Sequence, residues 1–562
     1  MTGHTPEDRS GTPEAAWITR LAQPVAGAPD GPLAGLLFAV KDNIDVAGVP
    51  TTAACPAFSY TATRHAAVVE RLLHAGASVA GKSNLDQFAC GLNGTRSPYG
   101  AVPNAFDSRY VSGGSSSGSA YLVARGEVDF ALGTDTAGSG RVPAGLNNIV
   151  GLKPSKGLIS TRGVVPAAQS VDCVSILARS VGLAARVLAQ AIGSDAQDPY
   201  SRRLTLASRV FPAAFRFGLP QPLEFFGDDL AHAAFGQAVR RLHDLGGTAV
   251  QVDFQPLAAA ADLLYGSALV AERHAAVRTF FDGHEQDVVE PVRSILAAGR
   301  GYSASELVDA QVRLHALGQQ VAGLWDAIDV LLVPTAPTHY TIDQMRADPV
   351  ALNRNLGVYT NFVNLLDYAA LSVPSSLRPD GLPFGITLIG RCGSDWQLAD
   401  LGQRYHLATG LQQGATKLPL SPAWPIAGLA MDAMVKVAVV GAHLSGQPLN
   451  GQLTERGARL VGRVHTAPDY RLFALPGTEP PKPGLVRVQP DMGARIELEV
   501  WEMAVQQYGS FVALVPAPLG IGTIRLDSGA MVQGFLCEAL ATNGAADITR
   551  HGGWRAYLAQ RA

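Results

Sequence analysis

The chain runs to 562 residues, 47% of them hydrophobic and 16% charged, with a formal net charge of −3. That length exceeds what one hydrophobic core supports, so two or more domains are expected, and the composition excludes a disordered chain. The near-balanced charge, with no dense run of Lys or Arg, excludes a nucleic-acid or anionic-membrane surface.

The five cysteines, Cys55, Cys90, Cys173, Cys392 and Cys537, are scattered without a CxxC pair, which argues against a disulfide framework and a zinc site. The opening residues, MTGHTPEDRS, are polar and lack the apolar centre of a signal peptide. No run of about 18 apolar residues is present to span a bilayer. A soluble cytoplasmic protein is the expectation.

In chain order, residues 1–12 read as a mobile tail. Leu36 to Val40 form a short apolar run suited to a buried strand, and Lys41 follows at once. A lysine there either snorkels from a strand edge or is desolvated, neutral and able to act as a base. His65 to His74 places Val68, Val69, Leu72 and Leu73 at helical spacing, with Gly76 as the stop. Gly76 to Ser83 matches GxxxxGK[ST], the phosphate-binding P-loop pattern. That loop needs a strand before its first glycine and a helix after its lysine; here a helix precedes it, and Ala77 to Ala80 itself reads as strand, so nucleotide binding is disfavoured.

The richest stretch runs from Ser112 to Ala144: SGGSSSGSA, a short apolar run, then GTDTAGSGRVPA. Glycines let backbone approach a ligand, rows of backbone N–H groups can hold an oxyanion, and serine can supply a nucleophile. A flexible Gly/Ser linker fits badly, because ordered apolar sequence follows. Gly114 to Gly118 matches GxSxG, which would make Ser116 a hydrolase nucleophile, but no apolar strand feeds into it. Ser119 to Ala124 reads as a helix start and Phe130 to Leu132 as strand. Residues 200–330 read as largely helical.

Taken together, AVKDNI at 39–44, AGKSN at 80–84, GGSSSGSA at 113–120, GTDTAGSGRVPA at 133–144 and GLKPSKG at 151–157 resemble the amidase signature family of Ser–Ser–Lys hydrolases. NLLDYAALSVP at 364–374 and GLPFGITLIG at 381–390 are similar to that family's closing strands, and the resemblance covers about residues 20–410. It implies Ser139 as nucleophile, Ser115 as a bridging serine after a cis peptide bond, and Lys41 as base. A neutral lysine would take a proton through Ser115 from Ser139, which attacks an amide carbonyl to give an acyl-enzyme. Backbone N–H groups of Thr136, Ala137, Gly138 and Ser139 are the expected oxyanion donors, with Asp135 bracing their loop.

The string Ala137-Gly138-Ser139-Gly140 departs from the family's usual two glycines before the nucleophile and isoleucine after it, and is similar to the allophanate hydrolase branch. Residues 262–280 read as one amphipathic helix on which Tyr265 and Arg273, eight apart, can point the same way. The resemblance implies that this pair holds a substrate carboxylate, a task suited to the planar guanidinium. The other reading pairs Arg273 with a neighbour such as Glu272.

The stretch 414–432 reads as a linker between an amidase domain at 13–413 and a small domain at 433–562. In the latter, KVAVVGAHLSG, RIELEVWEM, GIGTIRLDSG and MVQGFLCE alternate strand-like runs with turns. It resembles the C-terminal domain of allophanate hydrolases, with an implied fold similar to γ-glutamyl cyclotransferases. His443 is its candidate site residue, either structural or assisting decarboxylation of the first product.

The expected architecture is an α/β amidase-signature domain, a mixed sheet covered by helices, followed by a small α+β domain. The implied reaction converts allophanate (urea-1-carboxylate) to ammonia and carbon dioxide. It needs no metal or organic cofactor, and the small-molecule substrate would be supplied by urea carboxylation or biuret hydrolysis. The resemblance implies a homodimer, with neither nucleic acid nor membrane as partner. Alternatives are an amidase for another small carboxylated amide such as carboxybiuret, an amidotransferase A-type subunit, or an inert binding protein. Retention of Lys41, Ser115 and Ser139 together speaks against the last.

Overall fold

The computed structural model describes residues 13–426, 428–429 and 434–560, so the expected tail at 1–12 lies outside the described residues. The chain forms two compact units, Met1–Leu429 and Ala430–Ala562. Much of the stretch expected as a linker packs on the first unit: Ala415 N–H donates to the Ala124 carbonyl at 2.8 Å, and Trp424 stacks under the Arg186 guanidinium.

An 11-stranded mixed sheet runs through the first unit. Its order is Trp17–Val25, Ser78–Ser83, Leu37–Lys41, Phe130–Asp135, Cys173–Ala178, Val150–Lys153, Ala369–Leu377, Pro383–Gly390, Val330–Pro334, Phe215–Gln221 and Gly247–Asp253. Leu37–Lys41 lies parallel to both of its neighbours, and Phe130–Asp135 is antiparallel to Cys173–Ala178. The central strands are buried along their whole length because helices cover both faces.

Alternation of side chains assigns each face its own core. Phe38, Val40, Phe130, Leu132, Val174 and Ile176 form one layer with the helix Val181–Ala191. The Phe38 and Phe130 rings stack with centroids 4.9 Å apart. On the other face Ala39 and Ala131 are small, and the helix Ser117–Ala124 settles against them through Ala120 and Tyr121. Gly118 lets the helix lie close to the backbone of Ala16 and Asn84, since a Cβ there would lie 2.3 Å from the Ala16 carbonyl oxygen.

The stretch 200–330 is largely helical, as expected, and also contains two strands, Phe215–Gln221 and Gly247–Asp253, which pair in parallel at the sheet edge. One expectation is corrected. The single helix expected over 262–280 is broken at Ser267, whose extended backbone (φ −142°, ψ 179°) separates Gln255–Gly266 from a short turn and the helix Ala271–His284. The Ser267 hydroxyl donates to Leu263 O at 2.5 Å and accepts from Leu269 N–H at 3.3 Å, offering the chain a local alternative to helix.

The second unit has a five-stranded sheet, ordered Arg459–His465, Glu497–Ala504, Met434–Val439, Met531–Cys537 and Leu519–Arg525. A three-stranded sheet, Pro483–Arg487, Tyr470–Ala474 and Ala546–Asp547, accompanies it. Its core gathers Val437, Leu498, Val500, Phe511, Phe535 and Trp554. Among the described residues no helix is long and apolar enough to cross a membrane.

Candidate active site

Lys41 ends a central strand with its side chain fully buried, and Nζ lies 2.7 Å from Ser115 Oγ and 2.7 Å from Thr134 Oγ1. Burial pulls its amine down to about 7, against the opposing fields of Asp86, Asp172 and Asp135. A substantial neutral fraction is therefore present at neutral pH, beside a hydroxyl. Of the two sequence readings for this lysine, the buried and desolvated one is what the fold builds.

Ser115 follows a cis Gly114–Ser115 peptide bond just before the helix Ser117–Ala124. Its carbonyl accepts from Asp86 N–H at 3.1 Å, and the Asp86 carboxylate accepts from N–H groups of Asn93, Gly94 and Arg96. Ser116, the GxSxG serine, turns away: its hydroxyl donates to the Thr134 carbonyl at 3.2 Å, stitching the segment to the sheet. Its N–H donates to the Ser139 carbonyl at 3.4 Å, which joins the two serine clusters.

Ser139 sits in the loop after Phe130–Asp135, 2% exposed, its hydroxyl donating to the Gly91 carbonyl at 3.3 Å. The loop is braced from within. Asp135 accepts from Gly138 N–H at 2.9 Å and Gly140 N–H at 3.1 Å, and pairs with Arg141 through Nε and Nη2, each at 2.9 Å. Burial alone would raise this carboxyl, yet the Arg141 cation and these N–H groups keep it below the ordinary carboxylate range. Thr360 holds the Ala137 carbonyl at 2.7 Å, and Asn364 holds the Asp135 carbonyl at 2.7 Å. Gly138 is required here: its φ is +128°, and a Cβ would lie 2.3 Å from Thr360 Oγ1.

Among the four N–H groups expected to hold an oxyanion, that of Gly138 donates to Asp135 Oδ1 at 2.9 Å. Those of Thr136, Ala137 and Ser139 have no hydrogen-bond partner among the described residues.

Tyr265 and Arg273 meet across the helix break. Arg273 is 2% exposed; its guanidinium lies 4.8 Å from the Tyr265 ring centroid, and Nη2 donates to the phenol oxygen at 3.0 Å. Nε and Nη1 are buried with no partner among the described residues. Glu272 does not pair with Arg273 but accepts from Ser170 N–H and Oγ at 2.6 and 2.7 Å. A buried guanidinium with two unsatisfied donors is a poor resting arrangement and a good receptor for a carboxylate.

Sequence reasoning missed Thr134, Asp86 and Asp172. Burial raises the Asp172 carboxyl to about 6, against the Thr136 hydroxyl, the N–H groups of Ala167 and Ala168, and the Arg273 charge. None of the three carries a spacing that marks it; only folding brings them to Lys41. The P-loop match dissolves, because Lys82 lies on the strand Ser78–Ser83, fully buried, with Nζ 3.3 Å from Asp42 Oδ1 and donating to Thr51 Oγ1 at 3.0 Å.

In the second unit His443 is half-buried, stacked on Phe535 with Nε2 2.9 Å from Gln452 Oε1. Burial holds its imidazole below the usual range. It lines a cavity of about 250 Å³ together with Gln452, Glu479, Lys482 and Phe535.

The amidase family matches residues 12–399, and the allophanate hydrolase C-terminal domain matches residues 435–559. The urea amidolyase of Saccharomyces cerevisiae is 44% identical over 94% of this chain, which spans only 30% of that protein's length. The A-type subunit of the glutamyl-tRNA(Gln) amidotransferase of Symbiobacterium thermophilum is 36% identical over 67% of this chain and 84% of its own. The solved allophanate hydrolase of Kluyveromyces lactis superposes with a TM-score of 0.78 at 42% identity, covering 98% of this chain and 94% of that one. The chain therefore belongs to the amidase family and carries an allophanate hydrolase C-terminal domain.

Proposed function

We propose that this protein hydrolyses allophanate through an acyl-enzyme on Ser139, with Ser115 as relay and Lys41 as base. The observation that carries the substrate class is Arg273: buried, with Nε and Nη1 unpaired, beside the Tyr265 hydroxyl. A substrate carboxylate would supply the buried cation with an anionic acceptor at one of these two edges.

The steps follow from the geometry. Lys41 Nζ, 2.7 Å from Ser115 Oγ, takes that proton while Ser115 takes the Ser139 proton, after the Ser139 hydroxyl leaves the Gly91 carbonyl. Ser139 Oγ attacks the urea carbonyl; its oxygen becomes an oxyanion facing N–H groups of Thr136, Ala137 and Ser139. The C–N bond breaks as the relay returns the proton to nitrogen, releasing ammonia. Water then cleaves the ester by the same relay; the dicarboxylated amine product loses one carbon dioxide to leave carbamate, which breaks down to ammonia and the second carbon dioxide. His443 and its cavity are the proposed place for that later step. An upstream urea carboxylation or biuret hydrolysis would supply the substrate, and a cytoplasmic homodimer, expected from the resemblance, completes this reading; sedimentation of the purified chain tests the dimer.

The experiment is ammonia release from allophanate, biuret, malonamate and glutamine. Allophanate is expected to be hydrolysed best; a preference for glutamine would transfer the chain to amidotransferase-like chemistry. Arg273→Ala is expected to lower kcat/KM for allophanate and malonamate by roughly 100-fold or more, the loss of a buried charge-assisted contact, and for uncharged amides far less. Equal losses on both would remove its carboxylate role.

A further inference from the structure

The turn from Pro166 to Asp172 touches both halves of the site, yet the proton relay makes no use of it. On one side Asp172 Oδ1 accepts from the Thr136 hydroxyl at 2.5 Å, while Oδ2 accepts from Ala167 N–H at 2.8 Å and Ala168 N–H at 3.2 Å. On the other side Ser170 is bonded to Glu272, the residue before Arg273. Asn364 fastens the same turn to the nucleophile loop, its amide donating to the carbonyls of Val171 at 2.9 Å and Asp135 at 2.7 Å. One turn thus holds the loop of the oxyanion donors and the helix that carries Arg273.

The charges around it single out Asp172. The fields of three carboxylates, Asp86, Asp172 and Asp135, favour the cation at Lys41. Asp135 is paired with Arg141, and Asp86 is bonded to three backbone N–H groups. Arg273 contacts Tyr265, and the fields of Tyr265, Cys90, Asp172 and Glu272 favour its cation. Glu272 is committed to Ser170, and Asp172 is the carboxylate that both cations share.

We propose that Asp172 is a positioning residue whose carboxylate fixes the Thr136 loop and balances charge between Lys41 and Arg273. Its negative charge favours the protonated form of Lys41 and competes with a substrate carboxylate for Arg273. It does not touch the reacting atoms. The proposal rests on Lys41 being the base.

The test is the pH profile of ammonia release by the full chain on malonamate and on uncharged propionamide, for wild type, Asp172→Asn and Thr136→Val. Removing the Asp172 charge lowers the Lys41 pKa, so the acid limb of kcat/KM is expected to move down by about half a pH unit or more on both substrates. KM for malonamate is expected to fall relative to that for propionamide. Thr136→Val removes the hydrogen bond that holds the Asp172 carboxyl down but no formal charge: kcat should fall, roughly tenfold, with the limb moving less than in Asp172→Asn. An acid limb in Asp172→Asn unchanged from wild type, or KM values moving in parallel on the two substrates, would overturn the charge-balancing role. A wild-type profile with no inflection near 7 would overturn the Lys41 reading as well, which separates the two failures. If Asp172→Asn does not fold, Asp172→Ser, uncharged and smaller, carries the same expectations.

Discussion

Lys41 shows how one side chain can serve chemistry at the expense of stability. Its amine titrates near 7 in the folded chain and near 10.5 when unfolded, because burial penalises the cation. Below about 7 the folded protein must charge a buried amine, and the full penalty is present; it is lost as pH rises toward the unfolded value. The shift corresponds to something on the order of 5 kcal/mol. Lys41→Met is therefore expected to abolish ammonia release while raising the thermal midpoint measured at pH 6 by several degrees, an increase that shrinks toward pH 10. An inactive variant that is less stable at pH 6 would show that the amine is not desolvated as described. The same pKa gives activity an acid limb near pH 7, since the base must be neutral.

Among elements, the loop from Asp135 to Arg141 explains how a serine is held ready for attack. Asp135 and Arg141 are both fully buried; Asp135 accepts from Arg141 and from this loop, and Arg141 donates also to the Thr360 carbonyl and to Asn364 Oδ1. Removing one partner strands a buried charge, so Asp135→Ala is expected to cost about 3–5 kcal/mol in denaturant unfolding and most of the activity. A loss below about 1 kcal/mol would show that the brace is dispensable. This scale also divides what was legible in the sequence from what was not. Lys41, Ser115 and Ser139 stood in compact motifs, and the strands around them were apolar runs, so both could be read. The helix break at Ser267 was hidden because the apolar pattern continues across it; a single hydroxyl competing for backbone bonds decides it. In the second unit, Arg459–His465 was not read as a strand: it is an edge strand of mostly exposed residues that alternate only from Gly462 onward, after a register shift at Leu460/Gly462. Asp172 and Thr134 could not be found, since their roles arise only from contacts across 36 or more residues, Thr136 to Asp172 and Lys41 to Thr134.

At the scale of the molecule, the two units have separate hydrophobic cores, and every residue of the proposed relay, oxyanion loop and carboxylate pair belongs to the first. A chain ending at Leu429 is therefore expected to fold and to release ammonia from allophanate at a rate within a few-fold of the full chain. A folded but inactive truncation would show that the second unit takes part in the first step. The nucleophile remains the central claim, and three serines compete for it within one stretch. Ammonia release from allophanate by wild type, Ser139→Ala and Ser116→Ala, measured side by side, tests it most directly. The expected result is a loss of roughly 1,000-fold or more in Ser139→Ala, comparable to removal of a nucleophile elsewhere, with Ser116→Ala retaining activity. Activity lost in Ser116→Ala but kept in Ser139→Ala would contradict the account.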